Sequence, residues 1–174
     1  QAMHKRALNG GVVVDMACHM VDMLRYITGE EPKQVYASGN IFGQGKPRLS
    51  GVEDLAVDEA NIDVSFTGGH QLQLYLNWGM PEQIVAHSEQ MLIGPNGMAR
   101  NAGGNCEVVY GDHIESWPGP RPGTAVRVDR FVDAVTGKAS ADVDGNDALI
   151  ALEVSLAALE SIDTGEVVDL EVGE

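Results

Sequence analysis

Two cysteines, Cys18 and Cys106, are too few to staple 174 residues. The chain is therefore not a disulfide scaffold, and both are read as free thiols of a reducing compartment. Basic residues are scarce as well. Eleven Lys and Arg stand against 26 Asp and Glu, a formal charge of −15 that would repel a phosphate backbone or an anionic bilayer. Nucleic acid and membrane are thus poor partners. No apolar run approaches the roughly 20 residues of a membrane span, and no basic segment leads into an apolar signal core. Together these absences point to a soluble, cytoplasmic protein. What is present is an ordinary 44% of apolar residues, enough for residues 1–174 to bury a core as a single domain.

Hydrophobic periodicity lays out the elements. From Gly10-Gly11 to Tyr26 the pattern is helical, and Thr28-Gly29 stops it, since glycine takes the left-handed conformation that ends helices. A strand is expected over Gln34 to Asn40, and the Gly-, Pro- and Ser-rich stretch from Phe42 to Glu53 reads as a loop. Ala60, Ile62, Val64 and Phe66 alternate with polar residues. Thr67-Gly68-Gly69-His70 then turns the chain, and Leu72, Leu74, Leu76 and Trp78 alternate on the return, a hairpin signature. Ser88 to Ile93 and Met98 to Asn101 flank Gly94-Pro95-Asn96-Gly97 as a second hairpin, with Cys106 to Tyr110 a further strand. Trp117 to Gly123, with three prolines, is expected to be a loop. Two helices follow, the first carrying Val128, Phe131, Val132 and Val135. The second runs from Asp147 to Ile162 with Leu149, Leu152, Leu156 and Leu159 as its core stripe. A short strand from Val167 to Val172 ends the chain. With no regular βαβ alternation, this order predicts an α+β fold, helices packed against a mostly antiparallel sheet.

One constellation carries chemistry. Asp15, His19 and Asp22 fall at i, i+4 and i+7 of the first helix, on one stripe a turn apart. Apolar residues cover most of the rest of that helix, so the helix is expected to be buried and the stripe to line a cleft. A carboxylate beside an imidazole fixes its tautomer and raises its basicity, which suits general acid/base work near neutral pH. On the pattern alone a structural reading weighs more: His19 fills a packing gap and the acids satisfy its ring nitrogens. A metal reading is weaker, because no second histidine or cysteine stands at ligand spacing on the helix.

The stretch Gly10-Gly11-Val12-Val13-Val14-Asp15-Met16-Ala17-Cys18-His19, with Asp22 and the Thr28-Gly29-Glu30 ending, resembles the signature that opens the C-terminal domain of the Gfo/Idh/MocA oxidoreductases. The resemblance continues through Val35-Tyr36-Ala37, Val57-Asp58-Glu59-Ala60, Asn77-Trp78 and Ile93-Gly94-Pro95-Asn96-Gly97. It then runs to Asp147-Ala148-Leu149, Leu152-Glu153-Val154, Ser161 and Thr164-Gly165, nearly the whole chain in the family's order. It implies a substrate-binding and oligomerisation domain with an open-faced antiparallel sheet, helices on one side, acting on a sugar, polyol or cyclic hydroxy compound. It further implies that Asp15 and His19 are catalytic, with His19 taking the hydroxyl proton alone or shared with a lysine. Asp22, on the same stripe, is then a substrate-binding candidate; His113, between a strand and the proline-rich loop, is another by its position alone, where an exposed loop histidine is the commoner explanation. NAD or NADP is expected to be held by an N-terminal Rossmann domain, and the protein to form a dimer or tetramer through the open sheet face.

Two departures accompany the resemblance. The chain has neither a Gly-x-Gly-x-x-Gly phosphate cradle after a strand nor the family's Glu-Lys-Pro segment, and it opens on Gln1 instead of methionine. It is therefore read as the C-terminal half of a longer enzyme, inactive alone. An NAD-assisted glycosidase on the same framework, or a non-catalytic dimerisation or binding module, remains an alternative. Among weaker candidates, His70 reads as a solvent-facing turn residue. His87 reads as a strand residue, and Trp117 with Arg121 as a loop anchor or a stacking pair. Asp142, Asp144 and Asp147 lack the spacing of a calcium loop. They read instead as a helix N-terminus capped by Asp144 or Asn146.

Overall fold

The computed structural model describes residues 2–81, 83–84, 88–102, 104–119 and 124–171. His87 and Arg121 lie outside them. They fall into two compact units, Gln1–Pro81 with Val143–Glu174, and Glu82–Asp142.

In the first unit α1 (Arg6–Asn9) leads into a π-helical turn, Val13–Ala17, and then α2 (Cys18–Thr28). Gly29 ends α2 at φ +69°, its N–H donating to the Arg25 carbonyl. Strands β1 (Pro32–Asn40), β2 (Glu59–Phe66) and β3 (Gln71–Asn77) follow. With the short β8 (Val168–Asp169) they form an antiparallel sheet in the order β3-β2-β1-β8. Period-two alternation sends Val35, Ala37, Ala60, Ile62, Val64 and Phe66 to a buried face and leaves Tyr36, Asn61 and Asp63 on the open one. The buried face is covered by the α2 helix and by α4 (Gly145–Thr164), as an α+β fold requires.

The edge strand β8 pairs with β1 only at Gln34 and Val35. Beyond it the buried Ser161 hydroxyl accepts from the Ala37 N–H at 2.8 Å and donates to the Glu166 carbonyl at 2.6 Å. A side chain thus replaces the missing ladder partner.

Helix α4 corrects one expectation. Leu149, Leu152 and Leu156 are exposed, and the face toward the sheet is made of Ala151, Val154, Ser155, Ala158 and Ser161. Small residues let the helix backbone approach β1 and α2 closely. Of the four leucines Leu159 alone packs against the core, partly buried.

The stretch Arg6–Thr28 also revises the membrane argument, being long and apolar enough by composition to cross a bilayer. Gly10 breaks it in the left-handed conformation, and it carries Arg6, Asp15, His19, Asp22 and Arg25. Its apolar side packs into the core with the sheet and α4, so it reads as a core helix.

At the start of α4 the Asp144 carboxylate accepts from the Asn146 and Asp147 N–H groups. The Asp147 carboxylate accepts in return from the Asp144 N–H at 2.9 Å, a reciprocal capping box. Asp144 is the cap, not Asn146. Arg25 ties this end to α2, donating to both Glu31 oxygens at 2.7 and 2.8 Å and to Asp147 at 2.9 Å. Asp144→Ala is expected to cost about 1 kcal/mol, read as a lowered urea midpoint with unchanged slope. The Asp144 N–H, then the Arg25 guanidinium, hold the Asp147 carboxyl below its ordinary range. Its contribution is therefore complete above about pH 4 and lost as pH falls through the lowered value. Asp147→Asn should flatten that part of the acid-unfolding curve.

The second unit holds a meander of β4 (Met91–Gly94), β5 (Gly97–Ala102), β6 (Asn105–Val109) and β7 (Ile114–Pro118), antiparallel throughout in that order. Helix α3 (Thr124–Val135) follows. The middle of the chain thus forms two separate antiparallel sheets. Trp117 and Pro118 belong to β7, not to a loop. The strand tolerates proline because β7 is an edge strand and Pro118 its last residue. Asp142 pairs with Arg130 within this unit.

Candidate functional site

Asp15 lies in the π turn and His19 and Asp22 in the first turns of α2. Entry to this turn depends on Gly11, at φ +75°, where a Cβ would stand 2.4 Å from the Val57 carbonyl oxygen and 2.7 Å from the Ala56 Cβ. Val12 and Val13 follow, fully buried, and pin the turn to the core. An α-helix advances about 100° per residue. The wider π turn advances less, which brings Asp15 and His19 closer to superposition along the axis. Single π turns recur at functional sites.

The stripe is open, not enclosed within this unit. His19 is exposed, Asp15 and Asp22 are half-buried, and the helix buries Val12, Val13, Ala17, Val21 and Leu24 on one side only. The expected all-round burial fails because half-buried Val14, Cys18 and Met20 flank the stripe without being covered. No hydrogen bond joins Asp15, His19 and Asp22 to one another. That bears on the structural reading of the motif, which needs His19 in a packing gap with its nitrogens satisfied by the acids. An exposed imidazole without such partners does not fill one. Beside it the Cys18 thiol contacts the Asp15 carbonyl at 3.6 Å. Burial, then the Asp15 and Asp22 carboxylates among smaller influences, hold this thiol above its ordinary range, so it is protonated at neutral pH.

His113 sits in the second unit, in the β6–β7 hairpin. Its ring stacks on Tyr110 with centroids 4.5 Å apart, and its nitrogens face Asp112 at 2.7 Å and Glu115 at 3.5 Å. Its polar groups are thus already engaged by its own hairpin. His70 is exposed, its Nδ1 2.6 Å from Glu30 in the neighbouring turn. Among the described residues no group of His, Cys, Asp and Glu is arranged to hold a metal ion.

Spacing along the chain does not show that His4, Arg48, Asp58 and Trp78 meet. The one trace is Asp58 itself, a carboxylate that is 2% exposed at the opening of a core strand. Its oxygens accept from the Phe42 N–H at 2.6 Å and the Gly43 N–H at 3.0 Å, fastening the 42–53 loop to the sheet.

Against known proteins, residues 1–100 match the model of the GFO/IDH/MocA C-terminal domain. The chain is 24% identical over 165 residues to 1,5-anhydro-D-fructose reductase of Ensifer adhaerens, covering 94% of this chain and 49% of that protein. It is 40% identical over 50 residues to myo-inositol 2-dehydrogenase of Thermotoga maritima, 29% of this chain and 15% of that one. Among solved structures, aldose-aldose oxidoreductase from Caulobacter crescentus, complexed with glycerol, superposes with a TM-score of 0.78 at 24% identity, over 98% of this chain and 51% of that one. The WlbA dehydrogenase from Bordetella pertussis, in complex with NADH and UDP-GlcNAcA, gives 0.63 at 19% identity over 97% and 48%. The chain spans about half the length of the reductase and of both solved proteins.

Proposed function

Since the chain belongs to the GFO/IDH/MocA family, as a C-terminal domain, we propose that it is the substrate-binding and oligomerisation domain of an NAD(P)-dependent oxidoreductase acting on a sugar, polyol or related cyclic hydroxy compound. The observation that carries the reading is the accessible Asp15–His19–Asp22 stripe, set on a turn whose geometry the core enforces. The relatives support the substrate class, being named for an anhydro sugar, an inositol and aldoses.

Oxidising an alcohol removes a hydride from carbon and a proton from oxygen. The described strands pair antiparallel throughout, and the Gly10-Gly11 pair that opens the first long helix follows no strand, so these residues do not form the strand–turn–helix cradle of a dinucleotide. NAD(P), which supplies the hydride acceptor, is assigned to the part of the protein outside this chain. This chain's share is the proton. An imidazole nitrogen of His19 accepts it from the reacting hydroxyl, Asp15 orients that hydroxyl or a lysine beside it, and Asp22 contacts the substrate one turn further on.

The test is a screen of sugars and polyols with each nicotinamide on the full-length protein, followed at the reduced-nicotinamide absorbance. Turnover is expected there and not with the 174-residue chain. A silent full-length protein across such a panel would count against the enzyme reading and favour a binding module.

The open sheet face, bearing exposed Tyr36, Asn61, Gln73 and Tyr75, suits a wet contact of moderate size with a second copy. Light scattering should give a dimer or tetramer, and a monomer across a wide concentration range would contradict this assignment. Free Cys18 and Cys106 agree with a cytoplasmic setting.

A further inference from the structure

His4, Arg48 and Trp78 meet beside the start of the functional helix. Trp78 follows β3, and its N–H donates to the Asp58 carbonyl at 2.7 Å. Its own carbonyl accepts from Arg48 Nη2 at 2.7 Å, and its ring meets the His4 imidazole edge-on with centroids 5.9 Å apart. That hydrogen bond to Trp78 is all that Arg48 makes among the described residues, and its Nε is buried without a partner. One of five guanidinium N–H donors is therefore used. The buried acid close by does not absorb the others, because the hydrogen bonds of the Asp58 carboxylate go to the backbone of the 42–43 turn. Lys46 adds positive charge over the Phe42 ring, 5.1 Å from its centroid, while its amine donates to the Gly79 carbonyl. Burial and then the Arg48 charge are the main influences holding His4 below its ordinary range, so near neutral pH it offers an uncharged imidazole.

The cluster is anchored at the helix entrance. The Ala56 N–H donates to the His4 carbonyl at 2.8 Å, and Gly11 lies against Ala56 and Val57. Asp15 and His19 follow Gly11 by four and eight residues, so the cluster borders the entrance of the helical stretch that carries the proposed proton acceptor.

Resting on the function proposed above, we infer that Arg48, with His4 and the Trp78 ring, forms a subsite for the carboxylate of an acidic sugar whose reacting hydroxyl lies at His19. A planar guanidinium with unused donors matches a carboxylate better than it matches a neutral hydroxyl. The imidazole and the indole edge supply one further polar contact and an apolar wall.

The test compares D-glucuronate with D-glucose and D-galacturonate with D-galactose on the full-length protein, as wild type, Arg48→Gln and Arg48→Lys. For at least one pair the wild type is expected to prefer the acid about 10-fold or more in kcat/KM. Arg48→Gln should lower the acid's kcat/KM by roughly 10- to 100-fold, chiefly through KM, while the neutral sugar changes less than about 3-fold. Equal use of acid and neutral sugar by wild type, or equal losses on both in the variant, overturns the subsite and leaves the oxidoreductase reading standing. Where neither sugar turns over, calorimetric titration decides. Uronate binding that Arg48→Gln weakens at least 10-fold supports the subsite without the oxidation, and no uronate binding overturns it. Should Arg48→Gln melt early, Arg48→Lys keeps the charge without the planar fork and is expected to lose several-fold on the acid alone. No selective loss in that variant counts against the proposal.

Discussion

Replacing His19 by alanine in the full-length protein is expected to lower kcat by about 10²- to 10⁴-fold, the usual contribution of a positioned general base. KM should change little. The exposed imidazole makes no packing contact of consequence in this unit, so its removal deletes the proton acceptor and leaves the helix standing. Melting should accordingly shift by less than a surface substitution's roughly 0.5 kcal/mol. Asp15→Asn is the companion variant. It retains shape while removing charge, and a smaller loss than that of His19→Ala is expected if Asp15 orients and His19 accepts. A loss under about 10-fold in His19→Ala, with the fold intact, would remove His19 from the chemistry and return the motif to a structural role.

What the sequence makes legible is what local rules govern. Gly29 ends α2, Asp144 caps α4, and the period-two runs on either side of Gly68-Gly69 become β2 and β3. Each depends on residues a few positions apart. The Asp15–His19 stripe is legible for the same reason, since both residues lie on one short helical stretch.

Partnership is less legible, because it depends on what arrives from elsewhere in the chain. Leu149, Leu152 and Leu156 have the periodicity of a core stripe, yet the sheet receives the alanine face of α4, as close approach to β1 favours small side chains over long ones. Helix period alone fixes which residues share a face and not which face wins. The division of the central strands into two sheets is likewise a matter of pairing, and alternation within a strand carries no label for its neighbour. The π turn changes no composition at all. The meeting of His4, Arg48 and Trp78 needs three segments to converge, which no spacing rule anticipates.

Gly11→Ala should be strongly destabilising, and a comparison with Gly29→Ala separates its two causes. Both glycines occupy the left-handed region, at φ +75° and +69°, so each substitution carries the ~1–2 kcal/mol that an L side chain loses there. At Gly29 nothing lies within 4 Å of the added carbon, and the cost ends at that. At Gly11 the carbon would meet the Val57 carbonyl oxygen at 2.4 Å and the Ala56 Cβ at 2.7 Å, both parts of a strand approach that has no flexible end to swing away. Overpacking of this kind adds about 1–3 kcal/mol. The total, ~2–5 kcal/mol, is a large part of a typical domain's 5–15 kcal/mol, and urea midpoints of the two variants should differ accordingly. The displacement also has a direction. Moving Gly11 off Val57 pulls Val12 and Val13 from the core and shifts the π turn that carries Asp15, and a 1 Å misplacement of a catalytic group can cost about 10²-fold. Gly11→Ala should therefore depress kcat under conditions where the protein is still folded, whereas Gly29→Ala, at the far end of the helix, should lower stability alone. Equal activity in the two variants would show that the entrance of the helix does not set the position of Asp15 and His19.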